Sequence, residues 1–173
     1  FKMVLALAAF EAGLLDPEET FYCGGSITVS GNRFNCWRAG GHGNVLFHDS
    51  LKFSCDVYYY ELGQRIGIDA ISAMAKRLGI GVRHDVPMSA VALGIAPDRE
   101  WKARERGEDW RIGDTVNASI GQGYVLATPL QLAVMTARLA TGREVTPRLV
   151  RSIGGVEQPS GAGASMGFNE DWL

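Results

Sequence analysis

The stretch DTVNASIGQGYVLATPLQLA, residues 114–133, contains the strongest local structural signals in the sequence. Thr128 is a favoured N-cap residue, Pro129 suits the first position of a helix, and Gln131 completes a capping box. A helix is therefore predicted from Pro129 to about Leu139.

The tripeptide Gly121-Gln122-Gly123, just before this helix, predicts a tight turn. Its glycines either only permit the turn or also let the backbone approach a bound peptide. The structural role is the commoner one for such glycines.

Helical patterns recur on the N-terminal side of this stretch. Residues 2–12 are good helix formers and apolar nearly all round, and Gly13 is a suitable stop, so a helix buried in a protein core is predicted there. Two further helices are predicted, one running from Asp69, as N-cap, to Leu78 and one at Arg99–Arg106.

The other segments have weaker patterns. Apolar spacing in residues 50–66 predicts an inward face. That face would contain Leu51, Val57, Tyr58, Leu62 and Ile66. The remainder of residues 80–127 is predicted to be mainly loop and Val145–Ile153 a strand. Residues 154–173, rich in Gly, Ala and Ser, are predicted to be a flexible segment.

The composition is ordinary for a globular protein, because 173 residues with 46% hydrophobic and 21% charged content suffice for one packed domain. A net charge of −2, without a run of Lys or Arg, argues against nucleic acid as a partner. The longest apolar stretch, Met3–Phe10, is far too short to span a bilayer. We expect both ends to be breaks in a longer protein, with any membrane anchor outside this segment.

The cysteines indicate a metal site in and just after residues 20–49. This segment is rich in Gly, Asn, Cys and His without helical spacing, so it is predicted to be irregular and to need a stabilising link other than a hydrophobic face. Cys23, Cys36, His42 and Cys55 use every cysteine in the chain, in the spacing C-x12-C-x5-H-x12-C. Three thiolates and one imidazole are a complete tetrahedral set for structural zinc. The alternative is a Cys23–Cys36 disulfide with Cys55 as a buried thiol.

Four local sequences together resemble the transpeptidase domain of class B penicillin-binding proteins. They are Phe1-Lys2 at the head of a buried helix, Ser54-Cys55-Asp56 followed by aromatic residues, Gly121-Gln122-Gly123, and Ala127–Ala133. Within that class, Gly41-His42-Gly43 looks most like penicillin-binding protein 2, the elongation-specific branch. The resemblance implies the α/β (α+β) fold shared with serine β-lactamases, a five-stranded antiparallel sheet between helical regions. Residues 1–173 would form a partial transpeptidase domain, mainly its helical part.

The resemblance also implies catalytic roles. These enzymes use the motifs Ser-x-x-Lys, Ser-x-Asn and Lys-Thr-Gly. The first motif would place its serine two residues before Phe1, with Lys2 as its lysine and general base. Ser54 would relay a proton to the leaving amine, and Asp56, where Asn is usual, would position the peptide stem or Lys2. Lys-Thr-Gly is expected after Leu173, so the segment alone is expected to be inactive.

The implied activity is peptidoglycan D,D-transpeptidation through a serine acyl-enzyme, with stem peptides as substrates and β-lactams as inhibitors. The implied location is the periplasmic side of the bacterial inner membrane, with an N-terminal anchor outside this chain and an elongation-complex glycosyltransferase as partner. Some members of the penicillin-binding protein 2 branch hold zinc through positions that match His42 and Cys55.

Two alternative functions remain. One is a β-lactam-sensing or hydrolysing relative, which the match over residues 114–133 argues against, and the other is a zinc-stabilised binding module without catalysis.

Overall fold

The computed structural model describes residues 1–88, 91–158 and 163–172. The α-helices in these ranges are α1 (Lys2–Glu11), α2 (Phe47–Lys52), α3 (Asp56–Ile66), α4 (Ile68–Arg77), α5 (Arg99–Arg106), α6 (Ile112–Ser119) and α7 (Pro129–Thr141). The strands are β1 (Phe21–Cys23), β2 (Ser26–Val29), β3 (Asn32–Asn35), β4 (Gly43–Val45), β5 (Ser152–Ile153) and β6 (Val156–Glu157), and a 3-10 helix covers Glu170–Trp172. The strands form three antiparallel pairs, β1 with β4, β2 with β3 and β5 with β6. The prediction of a mainly helical segment is confirmed.

The helices with clear end signals lie where they are predicted. Helix α5 has the predicted bounds, and α1 differs from the predicted range by one residue. At the start of α7 the Thr128 side chain accepts from the Gln131 N–H at 3.1 Å, and the Gln131 side chain accepts from the Thr128 N–H at 3.1 Å. Because the capping box closes locally, short-range chemistry was enough to predict it.

Two predicted boundaries are wrong. The N-cap of helix α4 is Gly67 and not Asp69. Asp69 lies in the first turn, where its negative charge interacts favourably with the positive end of the helix dipole. The strand predicted at Val145–Ile153 is reduced to its last two residues, which pair with β6.

Helix α6 was missed, since the prediction for residues 80–127 was mainly loop outside α5. Its N-cap is Arg111, a residue type that carries no capping signal. The Asp114 side chain accepts from the Arg111 N–H at 2.8 Å and from the Lys102 Nζ at 2.7 Å. Lys102 is buried. The start of α6 therefore depends on an ion pair to α5 as well as on its own sequence.

The inward face predicted for residues 50–66 is only partly correct. Val57, Tyr58 and Leu62 are buried in α3, but Leu51 is 38% exposed and Ile66 is half-buried. A single helical register does not run through this segment because the chain turns between α2 and α3.

Helix α1 is buried on nearly all sides, as predicted. One side packs with α3 and α6 in a cluster that includes Leu5, Ala9, Tyr58, Tyr59 and Val116. The other side packs with α4 and α7 in a second cluster that includes Val4, Leu7, Met74, Leu78 and Met135. Lys2 therefore stands at the first position of the central helix. Within the described ranges, no helix has the length and apolar character that a membrane span requires.

The flexible segment predicted at 154–173 stays a prediction, because residues 159–162 and 173 lie outside the described residues. Further along, Phe168 is buried in the second cluster, and the Trp172 ring stacks on Phe10 with centroids 5.8 Å apart. This part of the segment contacts α1.

Replacing Gly63 with alanine is expected to destabilise the contact between α3 and α6. A Cβ at Gly63 would lie 1.8 Å from the Ser119 Oγ and 3.3 Å from the Leu5 Cδ1. Ser119 is buried and its hydroxyl donates to the Thr115 carbonyl at 2.7 Å, so the helices have to move apart. Such overpacking lowers the free energy of unfolding by about 2 kcal/mol, or roughly 4–8 °C in thermal midpoint by calorimetry.

Gly113→Ala is the matched control for this substitution. Gly113 also lies in a helix, but its Cβ would meet only the Phe34 ring, at an ordinary 3.4 Å. Because alanine favours helix over glycine, the control should keep or slightly raise the thermal midpoint. Equal midpoints for the two variants would contradict the tight α3–α6 contact.

Candidate active site and neighbouring Cys/His cluster

The three residues predicted to be catalytic converge at the N-terminus of α1. The Lys2 Nζ donates to the Ser54 Oγ at 2.8 Å, to the Ser54 carbonyl at 2.8 Å and to the Asp56 Oδ1 at 2.7 Å. The Lys2 and Asp56 side chains are only 15% and 13% exposed. The Lys2 amine thus lies within hydrogen-bonding distance of a hydroxyl and a carboxylate that are more than fifty residues away in the sequence.

The turn that ends α2 determines the position of Ser54. The Ser54 N–H donates to the Leu51 carbonyl at 3.2 Å and the Cys55 N–H donates to the Ser50 carbonyl at 3.0 Å, which is the pattern of a Schellman motif. Ser54 takes the left-handed position of this motif, with φ of 51°, where glycine is usual. A side chain there costs roughly 1–2 kcal/mol, and such strain is concentrated at functional sites.

Asp56 is the first residue of α3, and both of its carboxylate oxygens have donors. Oδ1 accepts from Lys2, and Oδ2 accepts from the backbone N–H of Trp37 at 3.0 Å. An asparagine, which is usual in this motif, would direct its NH₂ group at one of these two donors. The surroundings therefore favour a carboxylate. Its negative charge also lies at the N-terminus of α3, where the helix dipole is positive.

An open pocket of about 440 Å³ lies beside these residues. Its lining consists of Phe1, Lys2, Met3, Leu51, Ser54 and Ile120. The next residue, Gly121, has φ of 78°, and a Cβ there would lie 2.8 Å from the Phe1 Cβ. The Gly121-Gln122-Gly123 turn therefore packs against the start of α1, which supports the structural role of its glycines.

The four predicted metal ligands also converge, directly behind the catalytic motif. The ligand atoms of Cys23, Cys36, His42 and Cys55 all lie within 4.8 Å of one another. The three thiols are buried and free, so the structure contains no Cys23–Cys36 disulfide.

The geometry of this cluster fits a tetrahedral metal. The His42 Nδ1 is 3.6 Å from the Cys23 Sγ and 3.6 Å from the Cys36 Sγ. With zinc–sulfur and zinc–nitrogen bonds of about 2.3 Å and about 2.0 Å, the edge between two ligands of a tetrahedron is about 3.5 Å. The donor set and these two nitrogen–sulfur separations therefore match what structural zinc requires.

Residues 20–49, predicted to be irregular, contain two nested antiparallel ladders, because the β2–β3 pair lies in sequence between the paired strands β1 and β4. Glycines bring the ends of the ladders together. Gly25 has φ of 94°, and a Cβ there would lie 2.2 Å from the Ala39 carbonyl. Gly41 has φ of 72°, and its Cβ would lie 2.1 Å from the Cys23 carbonyl. These close approaches allow the His42 N–H to donate to the Cys23 carbonyl at 3.0 Å. The ladders were not predicted because each strand has only three or four residues.

Charge and burial affect the pKa values of the cluster. Burial lowers the pKa of His42, with a further contribution from the Arg38 charge, which favours the neutral imidazole that a metal ligand requires. Burial raises the pKa of the Cys55 thiol to about 12. Burial also raises the pKa of Cys23, but hydrogen bonds from the Gly25 and His42 backbone outweigh it and bring that pKa below its ordinary value. A metal at this site would have to displace the Cys55 proton.

Trp37 is a site residue that sequence reasoning missed. Its indole Nε1–H donates to the Phe53 carbonyl at 3.0 Å and to the Ser54 carbonyl at 3.2 Å. Its place directly after Cys36 was the only signal available. His48 and His84 are not part of the cluster, and His84 is buried with its Nε2 3.0 Å from the Gly79 carbonyl.

Comparisons with known proteins identify the family to which the chain belongs. The family model of the penicillin binding protein transpeptidase domain matches residues 1–165. The peptidoglycan D,D-transpeptidase MrdA of Acinetobacter baumannii is 34% identical over 181 aligned positions, which cover 99% of this chain and 27% of the relative. The solved structure of PBP2 (penicillin-binding protein 2) from Pseudomonas aeruginosa in complex with WCK 5153 has a TM-score of 0.85 at 34% identity, covering 92% of this chain and 35% of that one. The complex of PBP2 and MreC from Helicobacter pylori has a TM-score of 0.84 at 34% identity, covering 95% and 31%.

The predicted fold class is confirmed by these superpositions. The chain spans about a quarter of the length of the curated relatives that it matches, 27% for the Acinetobacter protein and 24% for MrdA of Haemophilus influenzae. Since the family model covers nearly the whole chain, this chain belongs to the family of penicillin-binding protein transpeptidase domains.

Proposed function

We propose that this chain is part of a serine D,D-transpeptidase that cross-links peptidoglycan. The observation that carries the proposal is the Lys2 Nζ, within 2.8 Å of the Ser54 Oγ and 2.7 Å of the Asp56 Oδ1. A serine hydroxyl needs a neighbouring base, and a lysine one helical turn away can supply it. The hydrogen bond from this lysine to the Ser54 hydroxyl provides a route for the proton.

These contacts support the following reaction. A serine three positions before Lys2, as Ser-x-x-Lys requires, attacks the carbonyl of the D-Ala-D-Ala bond in a stem peptide, and its proton passes to the Lys2 amine. Ser54 passes a proton to the nitrogen of the departing D-Ala as the peptide bond breaks, and the Lys2 ammonium replaces the proton on the Ser54 Oγ, which returns Lys2 to its neutral form. The amine of a second stem peptide then attacks the acyl-serine ester, forms the cross-link and restores the serine hydroxyl. Asp56 holds the Lys2 side chain in place, and β-lactams acylate the same serine.

We also propose that Cys23, Cys36, His42 and Cys55 hold zinc. Four protein ligands leave no open position on the ion, so its contribution is structural and it activates no water. Cys55 lies between Ser54 and Asp56 in sequence, and the ion would link its side chain to residues at β1, just after β3 and just before β4. The ion would therefore restrain the backbone on which both catalytic side chains stand.

The proposed substrate indicates where the enzyme acts and with which partners. Cross-linking of peptidoglycan takes place on the periplasmic side of the bacterial inner membrane, where we expect an N-terminal segment outside this chain to anchor the protein. PBP2 of Helicobacter pylori is solved in complex with MreC. We expect a partner of this kind here, together with a glycosyltransferase that supplies the glycan strands.

Labelling with a fluorescent penicillin tests the proposed function. We expect the full-length protein to take one label per chain, on the serine of Ser-x-x-Lys, and an excess of unlabelled penicillin to prevent it. Residues 1–173 alone should take no label. An unlabelled full-length protein that contains metal would instead support the non-catalytic binding module, and label on residues 1–173 would contradict the position of the serine.

A further inference from the structure

We propose that Trp37 is a positioning residue, which holds the Ser54-Cys55-Asp56 turn in the arrangement that the reaction needs. The inference rests on the proposed function, because it concerns the reactivity of that site. Trp37 contributes three hydrogen bonds to the turn. The backbone N–H donates to the Asp56 Oδ2 at 3.0 Å, and the indole N–H is shared between the carbonyls of Phe53 and Ser54 at 3.0 and 3.2 Å.

These hydrogen bonds complement those of Lys2. The Ser54 carbonyl accepts from the Lys2 Nζ at 2.8 Å and from the Trp37 indole, so two donors from distant parts of the chain fix one peptide group. The Asp56 carboxylate is likewise held at one oxygen by Lys2 and at the other by Trp37. Each catalytic residue of the turn is therefore restrained by the proposed base and by Trp37 together.

The turn needs such a restraint because of its backbone conformation. Ser54 has φ of 51°, in the region that glycine favours, and residues persist there only when their surroundings hold them. Without the indole N–H, the peptide between Ser54 and Cys55 would lose one of its two anchors. The Ser54 Oγ would then spend less time within reach of the Lys2 Nζ.

Burial does not explain the presence of a tryptophan at this position. Trp37 is 65% exposed, and its ring contacts the His42 ring edge-on, with centroids 5.4 Å apart. A tryptophan that served packing alone would bury its ring. Any residue except proline could donate the backbone N–H to Asp56, but the shared hydrogen bond to Phe53 and Ser54 comes from the indole nitrogen.

The test compares Trp37→Phe with Tyr22→Phe in the full-length protein, purified with its metal. Trp37→Phe removes the indole N–H but keeps an aromatic ring and the backbone N–H. Tyr22 is the matched control, since it is a 72% exposed aromatic residue next to Cys23 and its hydroxyl has no hydrogen-bond partner in the described part of the chain. For each protein one would measure the acylation rate constant and the dissociation constant of the preceding non-covalent penicillin complex. Metal content and hydrogen–deuterium exchange of the peptide covering residues 50–57 would be measured alongside.

We expect Trp37→Phe to lower the acylation rate constant about fivefold to tenfold, the usual effect of one lost hydrogen bond. Exchange in residues 50–57 should become faster, whereas the dissociation constant should stay within twofold and metal content should not change. Tyr22→Phe should match the unsubstituted protein in every measurement. Loss of metal in Trp37→Phe would mean a merely structural role, and unchanged acylation and exchange would also overturn the proposal. Failure of the unsubstituted protein to react would refute the proposed function, and the exchange measurement would then decide whether Trp37 holds the turn.

Discussion

Replacing Lys2 with methionine is expected to lower the rate constant for acylation by penicillin about a hundredfold to ten-thousandfold in the full-length protein. General-base catalysis by a positioned side chain contributes roughly 10²–10⁴-fold, and no other lysine in the described part of the chain contacts Ser54. Methionine has nearly the length of the lysine side chain but accepts no proton from the serine. Stopped-flow or quenched labelling with a fluorescent penicillin measures the rate constant directly.

Lys2→Arg separates the role of a base from that of a structural cation. Arginine keeps a positive charge opposite Asp56, but its guanidinium is not deprotonated in proteins. We expect it to preserve folding and still abolish acylation. The control is Lys52→Met, which removes a nearby lysine that contacts the Phe53 ring, 5.3 Å from the ring centroid. More than a tenth of the original rate in Lys2→Arg would contradict the assignment of Lys2 as the base.

Helices whose ends are determined by interactions between residues close in sequence were predicted, whereas a helix whose start depends on a residue from another helix was not. Helix α7 was predicted because Thr128 and Gln131 hydrogen-bond within one turn of each other. Helix α6 was missed because its first turn depends on Lys102, which comes from another helix and is buried against Asp114. Short-range capping is visible in a sequence, whereas a tertiary ion pair is visible only once the chain has folded.

The residues of the site were predicted better than their arrangement. Motif resemblance identified Lys2, Ser54 and Asp56, but their contact depends on a Schellman turn in which a serine takes a position that normally requires glycine. No rule of turn chemistry predicts serine there, so the turn was not foreseen. For the same reason the place of Trp37 directly after Cys36 did not predict that its indole donates to this turn, more than fifteen residues away.

Removal of the proposed zinc ion is the second change with a large expected effect. We expect the purified protein to contain one zinc ion per chain, visible by X-ray absorption at the zinc edge. Chelation should lower the thermal midpoint by at least about 10 °C, because binding free energy at such a site is folding free energy, and a loss of about 5 kcal/mol shifts a domain of this size by that much. The acylation rate constant should fall as well, since Cys55 anchors the backbone between Ser54 and Asp56.

A matched pair of histidine variants identifies the site. His42→Gln removes the nitrogen that lies 3.6 Å from two thiols, whereas His48→Gln changes a histidine whose side chain is 87% exposed. We expect zinc to be lost from the first variant and retained by the second. Equal zinc content in the two variants would show that the metal binds at another site. Protein that lacks metal and has fewer than three titratable thiols would favour the Cys23–Cys36 disulfide. The turn at Ser54 would then be restrained by Lys2 and Trp37 without a metal, and the transpeptidase proposal would depend on the Lys2 variants.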